Sequence, residues 1–353
     1  MPLRCVDSTS NNSIYAFDLS PDEWRALALE NRNARHLRMP CCSSRVTLKK
    51  SQRGTQFFAH TGIGDCSTAP ETETHLRLKT MAVAAARANG WDAVTEVVGA
   101  TPSGEQWKAD VLARKGGSKV VVEIQWSSQT NEETLHRQQR YADSGIRGLW
   151  LLRQPGFPIT RDLPAARICG TAKESFSALV PTGWGEQRLP MHEFLDAAFS
   201  RRLRYGVPVG FSATVLVRSA HLDCWKKSCG ARTRIITRIA VAFGPHEHAF
   251  SVPQLDEYPE LFEIVRNRLP DGHGIGAIKR RYSNTQQRFY LSNGCSRCDS
   301  LVGQFFEHEA WHDEETVCEF RIRITEGWQL AIEREEGCQY GWAVYPLADS
   351  KLL

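Results

Sequence analysis

Along residues 72–165 the spacing of apolar positions changes repeatedly, and each change marks an element. TETHLRLKTMAVAAARAN, from Thr72 to Asn89, is built of good helix formers and stops at Asn89-Gly90, so the spacing predicts a helix. A strand near DAVTEVV follows, then the turn TPSGEQ, a strand WKADVLAR, the Gly116-Gly117 turn and the β-prone run KVVVEIQWS. Two of these strands form a hairpin. EETLHRQQRYADSG reads as a second helix ending at Gly145, before the apolar strand GLWLLR and the breaker run QPGFPITRDLP. The order helix, strand, hairpin, helix, strand predicts an α/β domain over residues 70–165, a mixed sheet flanked by helices.

Outside that stretch the pattern is weaker. Residues 1–69 read as a small β-rich module in which VTLKKSQRGTQFFAH gives two strands around a turn at Arg53 and Gly54. Residues 166–205, with Pro181, Gly183, Gly185 and a helix around MHEFLDAAFSRRLR, read as a connector, and residues 206–353 as a strand-rich unit. No internal repeat is found. A length of 353 residues fits two or three compact units, and 41% hydrophobic with 24% charged residues is a globular composition.

The net charge of +4 is compatible with a polyanionic partner without requiring one. MPLRCVDSTSNNS lacks the basic-then-apolar run of a secretory signal, and no apolar stretch is long enough to span a bilayer. The expectation is a soluble cytoplasmic protein with no membrane partner. In that compartment thiols stay reduced, so eleven cysteines favour metal binding over disulfides. Cys5, Cys169, Cys318 and Cys338 are scattered and read as ordinary small buried residues.

Glu123 and Gln125 interrupt VVVEIQW, where a buried strand would take aliphatic residues, and such departures mark candidate sites. With a two-residue loop at Gly116-Gly117, cross-strand partners sum to 233, which sets Asp110 opposite Glu123 and Lys108 opposite Gln125. Alternation then puts all four on one face. Opposed carboxylates repel unless neutralised, and a divalent cation with oxygen ligands is a natural third party; the alternative is a solvated polar sheet face. The implied chemistry is metal-assisted phosphodiester hydrolysis, with Mg²⁺ or Mn²⁺ as cofactor.

These residues resemble the competence protein CoiA family, whose nuclease domain is of the restriction-endonuclease-like PD-(D/E)xK class. The resemblance spans roughly residues 40–153 and is carried by FFAH at 57–60, Glu71 to Lys79 (ETETHLRLK), KADV at 108–111, EIQWS at 123–127, and Arg137 to Tyr141 before GIRGLWLLR. It implies that Asp110 and Glu123 hold the metal, with Gln125 where the wider class often has lysine. Glutamine carries no positive charge, so either the family's E-x-Q form suffices or a lysine reaches in; Lys108 is the candidate. Glu71, His75 and Lys79 recur at i, i+4 and i+8 and share a helix stripe, with Glu71 an additional candidate metal ligand; an exposed charged face is the alternative for His75 and Lys79. Glu73 points elsewhere on a regular helix. Arg137 and Tyr141, also i and i+4, either contact the nucleic-acid backbone or pack and pair.

Cys224-x4-Cys229 and Cys295-x2-Cys298 supply four thiolates, enough for a structural Zn²⁺ in a zinc-ribbon-like domain; buried thiols or a redox pair are the alternatives. The gap between the pairs leaves room for a β-rich segment and a helix. Cys41, Cys42, His60 and Cys66 resemble the CoiA-type zinc-finger-like module that precedes the nuclease, although adjacent cysteines suit one tetrahedral ion poorly and His60 is otherwise a core histidine. The leading functional expectation is a Mg²⁺-dependent DNA nuclease acting in DNA uptake, processing, repair or defence. The alternative is a catalytically inactive, zinc-containing DNA-binding or scaffold protein.

Overall fold

The computed structural model describes residues 2–40, 42–62, 71–171, 175–182, 185–244, 246–334 and 341–345. It divides into two compact units, one running to Tyr205 and taking in the stretch up to Val344, the other starting at Gly206.

The first unit is built on a seven-stranded mixed sheet. In chain order its strands are β1 (Asp92–Ala100), β2 (Gln106–Lys115), β3 (Ser118–Gln125), β4 (Arg147–Leu152), β5 (Ala165–Cys169), β6 (Ser177–Thr182) and β7 (Gly185–Pro190), and they lie in that order across the sheet. β1, β2 and β3 pair antiparallel, β3, β4 and β5 parallel, and β5, β6 and β7 antiparallel. The parallel step from β3 to β4 is bridged by helix α2 (Asn131–Asp143), as a crossover requires. Helix α1 (Glu73–Ala88) precedes β1 and is capped by the Thr72 side chain.

Residues 166–205, expected as a connector, instead complete the sheet with β5 to β7 and helix α3 (Met191–Phe199). The run SALVPT is buried on both faces and so lacks the alternation that flags a strand. α1 and α3 cover one face: Leu78, Ala82, Val83 and Ala86 pack with Val111, Val122, Ile124, Phe194 and Leu195. α2 covers the other, where Tyr141 packs with Ala109, Leu112, Val121 and Trp150.

Before α1, the strand Arg4–Asp7 pairs with Ser13–Tyr15 and Leu37–Arg38, and a hairpin joins Val46–Lys50 to Gln56–His60. The module is not purely β: Pro21–Ala34 is a helix, started by a Ser20/Glu23 capping box that SPDEW displays openly. Its apolar core includes Leu76 of α1, so it packs against the sheet domain.

In the second unit two long strands, Ser212–Asp223 and Arg232–Phe243, form an antiparallel ribbon flanked by His246–Phe250 and Glu315–Arg323. A smaller sheet holds Lys279–Ser283, Arg288–Gly294 and Leu301–Val302. The gap between the cysteine pairs thus contains strands and the helix Pro259–Arg266, as expected. Among the described residues no helix is long and apolar enough to cross a membrane.

Candidate active site and metal centres

The β2–β3 hairpin turns at Gly116, whose φ of +57° suits glycine, and its register runs from Lys115↔Ser118 to Val111↔Val122. There the ladder ends. On the other side of β2 the pairing with β1 skips Glu96 and Asp110, between Thr95↔Val111 and Val97↔Ala109, and Glu96 has φ +52°. The break reverses the usual alternation. Asp110 and Val111 in sequence both serve the α1 face, since Asp110 bonds to His75 while Val111 joins the α1 core.

Asp110 is therefore held from the α1 side. Its Oδ2 lies 3.0 Å from His75 Nε2 and accepts the Ile124 backbone N–H at 2.9 Å, and its Oδ1 is 3.5 Å from Lys79 Nζ. Lys79 is fully buried and also donates to Glu71 Oε1 at 2.8 Å and Glu96 Oε1 at 2.7 Å. Burial pushes the Asp110 carboxyl up, but the Lys79 charge, the His75 contact and the Ile124 N–H outweigh it and hold it well below the usual carboxylate range. Burial likewise opposes the Lys79 charge, and the surrounding Glu96, Asp110 and Glu71 carboxylates raise it well above the ordinary lysine range.

Glu123 faces the other way. It is 2% exposed, accepts hydrogen bonds from the Tyr141 hydroxyl and the Arg137 guanidinium, and so sits on the α2 face. Burial first, and the Asp110 charge second, raise it to about 7 against the opposing pull of Arg137 and Tyr141. Gln125 shares this environment: its Oε1 accepts from Arg137 at 3.2 Å and its Nε2 donates to Ser127.

The expectation that Lys108, Asp110, Glu123 and Gln125 share one face is thus corrected, because the break at Glu96 and Asp110 turns Asp110 toward α1 while Glu123 keeps regular alternation toward α2. Lys108 is not opposite Gln125; it pairs with Val98, is exposed, and lines a cleft together with Arg137, Arg140 and Tyr141 of α2. The lysine beside Asp110 is Lys79. Glu71, His75 and Lys79 do converge, although Glu71 precedes the helix, and Glu73 turns away to accept from Ser51. Sequence reasoning passed over Glu96, whose signal was the one used for Glu123, a carboxylate within a β-prone run.

One oxygen or nitrogen from each of Glu71, His75 and Asp110 lie within 4.8 Å of one another. Three carboxylates, from Glu71, Glu96 and Asp110, surround a single ammonium, and Glu71 Oε2 is buried with no hydrogen-bond partner among the described residues. An excess of buried negative charge with an orphaned oxygen fits a hard divalent cation.

The second cluster is of different chemistry. Cys224 and Cys229 bound the loop between the two long strands, and Cys295 and Cys298 the turn after Arg288–Gly294. Cys224 and Cys298 Sγ are 3.7 Å apart and Cys229 and Cys295 Sγ 3.8 Å, with all four within 4.8 Å. A zinc–sulfur bond of about 2.3 Å gives tetrahedral sulfur–sulfur edges of about 3.8 Å, so the four fit one tetrahedral ion.

In the N-terminal module Cys42 Sγ is 3.2 Å from His60 Nε2, while Cys41 and Cys66 lie outside the described residues. Of the scattered cysteines, Cys5 is buried, Cys169 and Cys318 are half-buried, and Cys338 lies outside the described residues.

A mixed sheet covered by helices on both faces, with a buried lysine among carboxylates at the point where its ladders part, defines an α/β domain with a charged candidate site. Residues 71–160 match the family described as Competence protein CoiA, nuclease-like domain. The match begins at Glu71 and takes in Asp110, Glu123, Gln125, Arg137 and Tyr141. No curated protein matches the chain.

Proposed function

We propose that the protein is a divalent-metal-dependent nuclease that hydrolyses phosphodiester bonds in DNA, in the processing of incoming DNA that the family name implies. The observation that carries this reading is the convergence of Glu71, His75 and Asp110 beside a buried lysine, within a domain of a nuclease-like family.

Glu71, His75 and Asp110 would hold the cation, Mg²⁺ or Mn²⁺, which when bound supplies Lewis-acid stabilisation of charge developing on the phosphate. Lys79 keeps Asp110 ionised and supplies, from α1, the positive charge that Gln125 cannot. Glu123, raised toward neutrality, is a carboxylate able to take or give a proton at the pH where the enzyme works. Gln125 and Tyr141 position Arg137 and Glu123 respectively, through the hydrogen bonds already described. The four-cysteine cluster is proposed to hold a structural Zn²⁺, and the Cys42–His60 pair to belong to a second such site.

One observation favours a second reading, a DNA-binding or scaffold protein without activity: Glu123 is satisfied by Arg137 and Tyr141 and is turned from the Asp110 cluster. Cleavage of linear and circular, single- and double-stranded DNA and of RNA, with Mg²⁺, Mn²⁺ or chelator, separates the two. Asp110→Ala should lower metal-dependent cleavage by about a thousandfold or more while sparing DNA affinity. Equal cleavage by the variant, or none by wild type, would leave the binding reading.

A further inference from the structure

Where the β2–β3 ladder has ended, a cleft of about 410 Å³ opens between α2 and the first residues of β2, of a size that holds a nucleotide-scale group. Three cations line it, Lys108, Arg137 and Arg140, and among the described residues no carboxylate does. Its remaining walls are mainly the Trp107 and Tyr141 rings and Val98, which is 63% exposed at the rim.

Lys108 is exposed and forms no ion pair among the described residues. Arg140 donates one Nη1 bond to the Gln106 carbonyl, but its Nε is buried without a partner among the described residues. A buried guanidinium N–H left unmade costs free energy that an anion would recover. Three like charges around one cleft also repel, and a phosphate relieves this where water alone does so less well. The Trp107 indole N–H is taken by Ser144, so the ring offers the cleft an apolar edge rather than a donor.

From this we infer that the cleft binds a phosphate of the nucleic-acid strand next to the bond to be cut, with Lys108 and Arg140 as its principal ligands. The inference rests on the nuclease reading for the identity of the strand. Its chemistry is shared by a terminal phosphomonoester and an internal phosphodiester. Arg137 links the cleft to the site, because a phosphate engaging its guanidinium competes with Glu123 for the same donors.

The test is equilibrium binding of the full chain, in chelator, to 5′-phosphorylated and 5′-hydroxyl oligonucleotides over a range of salt concentrations. Lys108→Gln/Arg140→Gln should bind at least about tenfold more weakly, and the slope of log K against log salt should flatten by about 2. Loss confined to the 5′-phosphorylated strand assigns a terminal phosphate, and equal loss on both an internal one. If the double variant melts early, Lys108→Gln alone, at its exposed position, should flatten the slope by about 1. An unchanged slope, or no binding by wild type, overturns the proposal. Cleavage is scored separately with Mg²⁺: cutting with an unchanged slope removes the cleft alone, and a flattened slope without cutting removes the nuclease alone.

Discussion

The acidic centre of the sheet domain and the four-cysteine cluster of the second unit both gather ligating side chains, by opposite means. The cysteines come as two short-range pairs on turns, with identical atoms at tetrahedral spacing and no other partner chemistry needed. The acidic centre draws His75 and Lys79 from α1 and one residue each from its leading segment, β1 and β2, and each is already bound to another side chain of the group. The contrast teaches that the thiol cluster is set by local turns, whereas the acidic cluster is set by packing and carries unbalanced charge. One should fail by unfolding and the other by losing activity.

The largest expected effect breaks the comparison on the cysteine side. Cys295→Ser should release about one equivalent of metal and abolish the cooperative unfolding of the second unit, since structural zinc contributes on the order of 10 kcal/mol. Metal analysis beside a urea titration checks it. Metal lost with unfolding unchanged would show that the cluster does not hold the unit together.

Lys79→Met is the next largest, and tests whether the acidic centre also bears on stability. Removing the ammonium that Glu71, Glu96 and Asp110 share should destabilise the sheet domain by about 3–5 kcal/mol, because it leaves buried charge uncompensated. Mg²⁺ should restore part of the loss if the cation fits beside Glu71, His75 and Asp110. A change below about 1 kcal/mol in chelator would mean that the cluster relaxes into solvent.

The smallest effect separates the two faces of the sheet. Glu123 is raised from 4.5 to about 7, so between those values the folded protein keeps a proton that the unfolded chain has released. Its contribution to stability is full below pH 4.5 and is lost as pH rises through 7, on the order of 3 kcal/mol over that window. Urea midpoints across the window in chelator should fall with pH for wild type and be flatter for Glu123→Gln. Equal slopes would place the titration elsewhere.

Much was legible in the chain itself. The Thr72 and Thr130 caps, the glycine stops and the Gly116 turn are local signals, so α1, α2 and the hairpin lie where the pattern put them. The cysteine pairs, too, declared themselves by spacing. The helix Pro21–Ala34 was equally legible from its capping box and was overlooked.

What only the tertiary structure decided is which way the site faces. Ideal alternation set Asp110 beside Glu123, but the break at Glu96 and Asp110 depends on Lys79 arriving from α1 to hold both carboxylates. Likewise β5 and β6 belong to the sheet because α3 and α1 bury them, not because their short runs alternate. Caps, turns and ligand types act over a few residues and are written in the sequence. The direction of a buried charge is chosen by partners far along the chain, since each buried charge must find a counter-charge wherever the fold brings one.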